Sequence, residues 1–114
     1  MELPAIVEKM YELNVWLLQR VSKFPKDQRF ILGDRLANKG LDIQDKLIEA
    51  ALTKKGDEKS GVLNEVNLEL EQFRYLLRLA SDQKCMSRES WFFCSKNLLE
   101  IGKMLGGWIK NSLT

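Results

Sequence analysis

The stretch that decides the fold is residues 63–80, LNEVNLELEQFRYLLRLA. Its apolar residues follow one another at alternating steps of three and four, which places them on one face of an α-helix. A rhythm of this kind is typical of helices that pack nearly parallel to one another in bundles. The members of this face are Leu63, Val66, Leu70, Phe73, Leu77 and Ala80. We expect a helix over residues 61–84.

The same alternating spacing of three and four residues recurs near the C-terminus and predicts a helix over residues 88–112. Its apolar positions are Trp91, Cys94, Leu98, Ile101, Leu105 and Trp108. Ser87 is the expected N-cap of this helix, because serine hydroxyls accept hydrogen bonds from the first free backbone N–H groups, and the hydroxyl of Ser90 is the competing cap.

The N-terminal segment predicts a helix over residues 4–22. Proline at position 4 suits the start of a helix, and Phe24-Pro25 ends it, because proline disfavours helical geometry in the residue before it. The apolar face of this helix comprises Ile6, Met10, Leu13, Leu17 and Val21.

The second helix is expected over residues 26–54, with a less regular face. Gly33 and Gly40 lower its intrinsic helix propensity, so we expect close packing against a neighbour to compensate. The polar run 54–61 predicts a mobile turn after it. The apolar or small positions assigned to this helix are Phe30, Ala37, Leu41, Ile48 and Leu52.

Short connections force neighbouring helices to run antiparallel. The sequence therefore predicts an all-α fold, an antiparallel up-down-up-down four-helix bundle, in a single domain over residues 1–114. Composition agrees with a globular chain, since 45% of the 114 residues are hydrophobic and 30% are charged.

Composition argues against several classes of function. No stretch reaches the ~20 apolar residues that span a bilayer, and the N-terminus lacks a signal layout, so we expect a cytoplasmic protein and no membrane partner. The 2 cysteines and 0 histidines predict reduced thiols, with Cys94 in the core, and no zinc site. We expect no enzyme activity, cofactor, metal or small-molecule substrate, because neither a phosphate loop nor a Ser/His/Asp set is present. The nearest carboxylate cluster, Asp34, Asp42, Asp45 and Glu49, reads as an exposed helical face.

A second apolar seam on the C-terminal helix suggests self-association. It comprises Phe92, Leu99, Gly102, Gly106, Ile109 and Leu113. Two glycines one turn apart allow another backbone to come close, and an outward aromatic residue suggests a contact surface. Helix three adds Leu68, Tyr75 and Leu79 outside its heptad face. The alternative is that these residues only widen the core stripe.

The distribution of basic residues is more informative than the net charge of +2. Arg74 and Arg78 lie four apart on one side of helix three and could clamp phosphates, or could bridge to Glu71, Asp82 or a neighbouring subunit. Further basic residues are Lys96, Lys103 and Lys110 in a line on helix four, and Lys26, Arg29, Arg35 and Lys39 on helix two. An ordinary solvated face is the alternative for the lysine line. Phosphate binding would depend steeply on salt.

Four motifs together resemble the accessory variability determinant family. They are FPKDQRF at residues 24–30, LGDR at 32–35, FRYLLRLA at 73–80 and IGKMLGGWI at 101–109. Each motif is weak alone, but their order and spacing are specific, and the similarity spans nearly the whole chain. The family is part of a group of small four-helix bundles that includes proteins encoded in intervening sequences of 23S ribosomal RNA genes.

The resemblance implies a homopentamer that binds nucleic acid through basic surfaces and associates with the reverse transcriptase of a diversity-generating retroelement. Such a subunit supports mutagenic copying of template RNA into cDNA, while the polymerase carries the chemistry. By match to the family's Leu/Phe-Arg-x-x-Leu-Arg segment, the resemblance implies that Arg74 and Arg78 are the best candidates for contacts to RNA or DNA. The alternative is a scaffold of the ribosomal intervening type without a polymerase partner, although the LGDR run looks closer to the retroelement type.

Overall fold

The computed structural model describes residues 2–112, and within that range the chain forms helices and no strands. The four long helices are α1, Ala5–Val21; α2, Asp34–Leu52; α3, Asp57–Asp82; and α4, Arg88–Ser112. A short α-helical turn, Lys26–Gln28, and a π-helical turn, Arg29–Gly33, lead directly into α2. The predicted all-α, four-helix fold is confirmed.

Contacts between helices show the antiparallel order. On α1 and α2, Asn14 meets Gly40 while Val21 meets Gly33. On α2 and α3, Lys39 pairs with Glu69 and Lys46 with Glu65. On α1 and α4, Lys9 pairs with Glu100 while the rings of Trp16 and Phe93 pack 4.9 Å apart. In each of these three pairs the residue numbers run in opposite directions, so the helices are antiparallel. Because α3 also packs against α4, the four helices form a closed bundle with dimensions of 45 × 22 × 20 Å.

The cores of α3 and α4 follow the predicted heptad faces. All six predicted positions of α3, from Leu63 to Ala80, are buried. On α4, the four central positions Cys94, Leu98, Ile101 and Leu105 are buried, whereas Trp91 and Trp108 are half-buried and pack against the margin of the core. Repeated steps of three and four thus bring one continuous apolar face inward along each helix.

The predicted apolar face of the second helix was wrong at three of its five positions. Phe30, Leu41 and Leu52 are exposed, whereas Ala37 is half-buried and Ile48 packs half-buried against the core. The buried positions are Leu32, Gly33, Leu36, Gly40, Ile43, Leu47 and Ala50. Both sets recur at helical spacing, so periodicity alone could not choose between them. The set that includes Gly33 and Gly40 is buried because these glycines allow α1 to pack closely against the helix.

Gly33 and Gly40 serve the close packing that the sequence predicted. A Cβ atom at position 33 would lie 2.8 Å from Cγ1 of Val21, and one at position 40 would overlap Oδ1 of Asn14. Asn14 is buried, and its Nδ2 donates to the carbonyl of Gly40 at 3.1 Å and to Oε1 of Gln44 at 2.7 Å. The backbones of α1 and α2 therefore meet around a polar contact inside the bundle.

The mobile turn predicted over residues 54–61 is largely helical, because α3 begins at Asp57. Asp57 and Glu58 occupy its first turn, where the partial positive charge of the helix N-terminus stabilises carboxylates. Gly56, with φ 130°, makes the reversal before it, a conformation that favours glycine.

Candidate nucleic-acid interface

Basic residues collect at the end of the bundle that carries the α1–α2 and α3–α4 connections. Residues 20–35 and 78–90 hold eight basic and four acidic residues, whereas the whole chain has a net charge of only +2. The remaining residues are therefore net acidic. This asymmetry along the bundle axis gives one end a positive potential, which attracts polyanions.

The two arginines that the sequence paired have different environments. The guanidinium of Arg74 forms an ion pair with Glu71, and its Nη2 donates to the carbonyl of Leu98 at 3.3 Å. Arg78, one turn further along α3, is exposed and has no ion pair with the described residues. Arg74 therefore forms the intramolecular bridge to Glu71 that the sequence allowed, whereas Arg78 forms no such bridge with the described residues.

Arg78 lines a cavity of about 450 Å³ at the α3–α4 corner. We refer to it as the Trp91 cavity, and its lining includes Arg78, Asp82, Lys84, Met86, Arg88 and Trp91. A smaller hollow of about 220 Å³ is also lined by Arg78 and Trp91, and its lining includes Arg74 and Ser95. Three cations thus share the lining of one cavity with a half-buried indole ring, a set of residues that combines phosphate attraction with an aromatic surface for stacking.

Two local motifs fix this corner. At the end of α3, the N–H of Cys85 donates to the carbonyl of Ala80 and the N–H of Lys84 to that of Ser81, both at 2.9 Å. This is a Schellman motif, and Lys84 occupies its left-handed position with φ 61°. At the start of α4, the N–H of Ser90 donates to Oγ of Ser87 at 3.1 Å. Ser87 is therefore the N-cap, as predicted, and Ser90 is not.

Neither Lys84 nor Arg88 has an ion pair within residues 2–112. Asp82 shares the cavity with them without forming one. Lys84 and Arg88 therefore add to the positive charge that Arg78 brings to the Trp91 cavity. Together with Trp91, they are the candidate binding residues that the sequence analysis did not single out.

The lysine line on α4 is exposed as the periodicity predicted. Lys96, Lys103 and Lys110 are all exposed to solvent, but Glu100 interrupts their charge. The pKa of Glu100 is lowered first by its 2.6 Å ion pair with Lys9 and then by Lys96 and Lys103. A carboxylate thus lies within the lysine line.

The two predicted arginines of the second helix lie elsewhere. Nη2 of Arg29, in the π-helical turn, donates to the carbonyl of Phe24 at 3.3 Å, so this side chain holds the α1–α2 corner. Arg35 is exposed and lines a groove between α2 and α3 together with Lys39, Tyr75 and Leu79. Since the Trp91 cavity lies between α3 and α4, Arg35 is not part of it.

The second apolar seam on α4, which was predicted to mediate self-association, is only partly exposed to solvent. Phe92 is 64% and Leu99 56% exposed, and the space beside Gly106 is empty. By contrast, Arg74 covers Gly102, and Ile109 packs half-buried against the core, so these two positions serve packing within the chain. Leu113 lies outside the described residues.

Apolar exposure is not confined to α4. A stripe on α1, made by Tyr11, Val15 and Leu18, is 45% to 50% exposed. Leu68, Tyr75 and Leu79 on α3 are exposed as well, which means that they do not widen the core. The molecule therefore presents apolar residues on several faces, more than the sequence analysis assigned to self-association.

Chemistry at the cysteines is suppressed by burial. Cys94 is buried in the core, and desolvation raises the pKa of its thiol to about 12. Burial also raises the pKa of Cys85.

Among residues 2–112, no group of three carboxylate, cysteine or histidine side chains is arranged to hold a metal ion. Over the same residues, no helix combines the length and apolarity that crossing a membrane demands.

Comparison with known proteins places the chain in a family. A crystal structure from Bacteroides thetaiotaomicron VPI-5482, described as a protein of unknown function from the S23 ribosomal protein family, superposes with a TM-score of 0.84 at 21% identity. The similarity covers 93% of this chain and 96% of that one, and at this identity it supports the four-helix fold. A search of curated proteins found no match. The profile of the bAvd-like family matches residues 5–112, and the chain therefore belongs to the bAvd-like family.

Proposed function

We propose that the chain is a non-catalytic, cytoplasmic accessory subunit of a diversity-generating retroelement. In this role it forms a homopentamer, binds template RNA or its cDNA, and associates with the reverse transcriptase. Membership in the bAvd-like family supports the general role. The observation that carries nucleic-acid binding is the cluster of Arg78, Lys84 and Arg88 around Trp91 at the basic end of the bundle.

The distribution of apolar surface is compatible with a ring. A closed ring needs a heterologous interface, in which each subunit offers two different faces to its two neighbours. The chain has apolar residues on α4, at Phe92 and Leu99, and on α1, at Tyr11 and Leu18. We assign one pair to each of the two faces.

Nucleic-acid binding is tested by fluorescence anisotropy with labelled RNA and DNA at two salt concentrations. We expect affinity to fall steeply with salt, with a logarithmic slope of about −0.7 to −0.9 for each phosphate neutralised. Arg78→Ala with Arg88→Ala should weaken binding and flatten this slope by about two phosphates. The matched control is Lys54→Ala with Lys55→Ala, which removes the same charge from the opposite end of the bundle.

Two outcomes would refute this part of the proposal. One is binding that ignores salt, and the other is an equal loss of affinity in both double variants. In the second case, net charge rather than the corner would determine affinity.

Assembly is tested by size-exclusion chromatography with light scattering. Phe92→Ser with Leu99→Ser and, separately, Tyr11→Ser with Leu18→Ser should each dissociate the ring if both faces are used. A protein that is monomeric at all concentrations would contradict the pentamer.

Association with the reverse transcriptase is tested by co-purification of the two proteins after nuclease treatment, which removes any bridging RNA. Failure to co-purify would contradict that contact.

A further inference from the structure

The Trp91 cavity differs from an ordinary solvated surface because two of its cations occupy unfavourable backbone positions. Lys84 has φ 61° at the position of the Schellman motif where glycine is normally found. A residue with a side chain is strained there, since Cβ crowds the following carbonyl oxygen. Lysine also leaves this strain uncompensated, because its ammonium forms no ion pair with any residue the structure describes.

Arg88 is the second unfavourable placement. It is the first residue of α4, where unpaired N–H groups carry partial positive charge and a cation is repelled. The first turn favours acidic residues, and Glu89 follows this preference while Arg88 does not. Two neighbouring violations of local preference, both around one cavity, indicate a site at which binding rather than stability determined the residues.

The cavity lining includes an aromatic and an apolar side chain that the core holds in place. Trp91 and Met86 are both half-buried, pack against the core and line the cavity. An indole fixed in a cavity can stack on any base, because every base has a π-face. Stacking of this kind needs an unpaired base, since the bases of a duplex already stack on one another and present only their edges.

The charges suit the phosphates next to such a base. Arg78 lines both the Trp91 cavity and the smaller hollow that includes Ser95, while Lys84 and Arg88 line the Trp91 cavity. A strand whose base occupies the cavity would therefore bring its adjacent phosphates close to these cations. A duplex could use these cations but not the indole.

We propose that the Trp91 cavity binds one unpaired base of a single-stranded nucleic acid, stacked on Trp91, with the adjacent phosphates held by Arg78, Lys84 and Arg88. This inference rests on the proposed nucleic-acid binding and narrows it to the single strand as the substrate class. It also gives the half-buried indole a role that the core alone does not require.

The test compares a short unstructured single-stranded RNA with a long RNA duplex, in which the two terminal base pairs with a free π-face are greatly outnumbered by internal pairs. Trp91→Leu should weaken single-strand binding about tenfold, the expected effect of one lost stacking contact, and leave duplex binding nearly unchanged. The matched control is Trp108→Leu, which removes a half-buried tryptophan near the other end of α4 and should change neither affinity.

A second measurement does not depend on the fold of the leucine variant. In a chain with Trp16→Phe and Trp108→Phe, Trp91 is the only remaining tryptophan, and its fluorescence should be quenched by the single strand but not by the duplex. If these phenylalanine replacements unfold the chain, the total tryptophan fluorescence of the unsubstituted protein is titrated with the single strand and with the duplex.

The possible results separate the inference from the function on which it depends. Equal loss of both affinities in Trp91→Leu, or unchanged fluorescence on saturation with single strand, would overturn the inference while nucleic-acid binding stood. If neither RNA nor DNA binds the unsubstituted protein at low salt, the proposed function fails with it.

Discussion

The guanidinium of Arg74 lies directly over Gly102 of the neighbouring helix. Its Nη2 donates to the carbonyl of Leu98, and a Cβ atom at position 102 would lie 2.6 Å from that nitrogen. A glycine expected to admit a second subunit thus accommodates an arginine of the same chain. The relationship also explains why Arg74 and Arg78, one helical turn apart, differ in their availability to a ligand.

Gly102→Ala and Gly106→Ala should have different effects on stability. Both replacements raise helix propensity by about 1 kcal/mol, but only position 102 requires Arg74 to move and risks its hydrogen bond to Leu98. We expect Gly106→Ala to raise the free energy of unfolding by about 1 kcal/mol and Gly102→Ala to give little or no gain, as measured by urea denaturation. Equal gains would show that Arg74 relocates freely. A loss of oligomer in Gly106→Ala alone would place this glycine in the subunit interface.

Gly40→Ala should destabilise the bundle, because the added methyl group overlaps Oδ1 of Asn14 and lies 3.2 Å from Cδ2 of Leu17. Overpacking of this kind typically costs ~1–3 kcal/mol. Gly61→Ala is the matched control, since position 61 is also helical and has open space around it. Thermal unfolding should show a lower Tm for the first variant and an unchanged or higher Tm for the second. Equal stabilisation of both would contradict the close contact of α1 and α2.

Lys84→Gly should separate stability from binding. Glycine relieves the left-handed strain and should raise the free energy of unfolding by about 1 kcal/mol. If Lys84 holds a phosphate as proposed, the same change should also lower the affinity for RNA and flatten the logarithmic salt slope by about 0.7. Lys84→Asn is the control, because asparagine tolerates this conformation but also lacks the charge, and it should lose binding to the same extent. A Lys84→Gly variant with undiminished affinity would remove Lys84 from the site.

Cys94 should be unreactive in the folded protein. Burial raises the pKa of its thiol from 9.0 to about 12, so the reactive thiolate is scarce at neutral pH. Alkylation followed by mass spectrometry should modify Cys94 only after denaturation. Rapid labelling of the native protein would contradict its burial.

The same shift predicts a loss of stability at high pH. The neutral thiol is favoured in the folded state, so this contribution is complete below pH 9 and is lost as the pH rises from 9 toward about 12. Urea denaturation as a function of pH should show a steeper decline for the unsubstituted protein than for Cys94→Ala. Parallel declines would assign the alkaline loss of stability to other groups.

Much of the fold could be predicted from residues 63–80 and 91–108, because a strict three-four rhythm of large apolar residues permits only one buried face. The second helix could not be predicted equally well. It carries two sets of residues at helical spacing, and the buried set, which includes Leu36 and Ile43, depends on how closely α1 approaches Gly40. Secondary-structure periodicity does not contain that distance.

The candidate site divides in the same way. The sequence by itself determined that Arg78 is a basic residue on the flank of α3, since the helical period fixes which side of the helix it occupies. Only the tertiary structure decided that Lys84, Arg88 and Trp91 line the same cavity as Arg78, while Leu98 and Gly102 of α4 contact Arg74. The physical reason is that these contacts join a Schellman turn, a capped helix start and two antiparallel helices, and such distances are set by packing rather than by position in the chain.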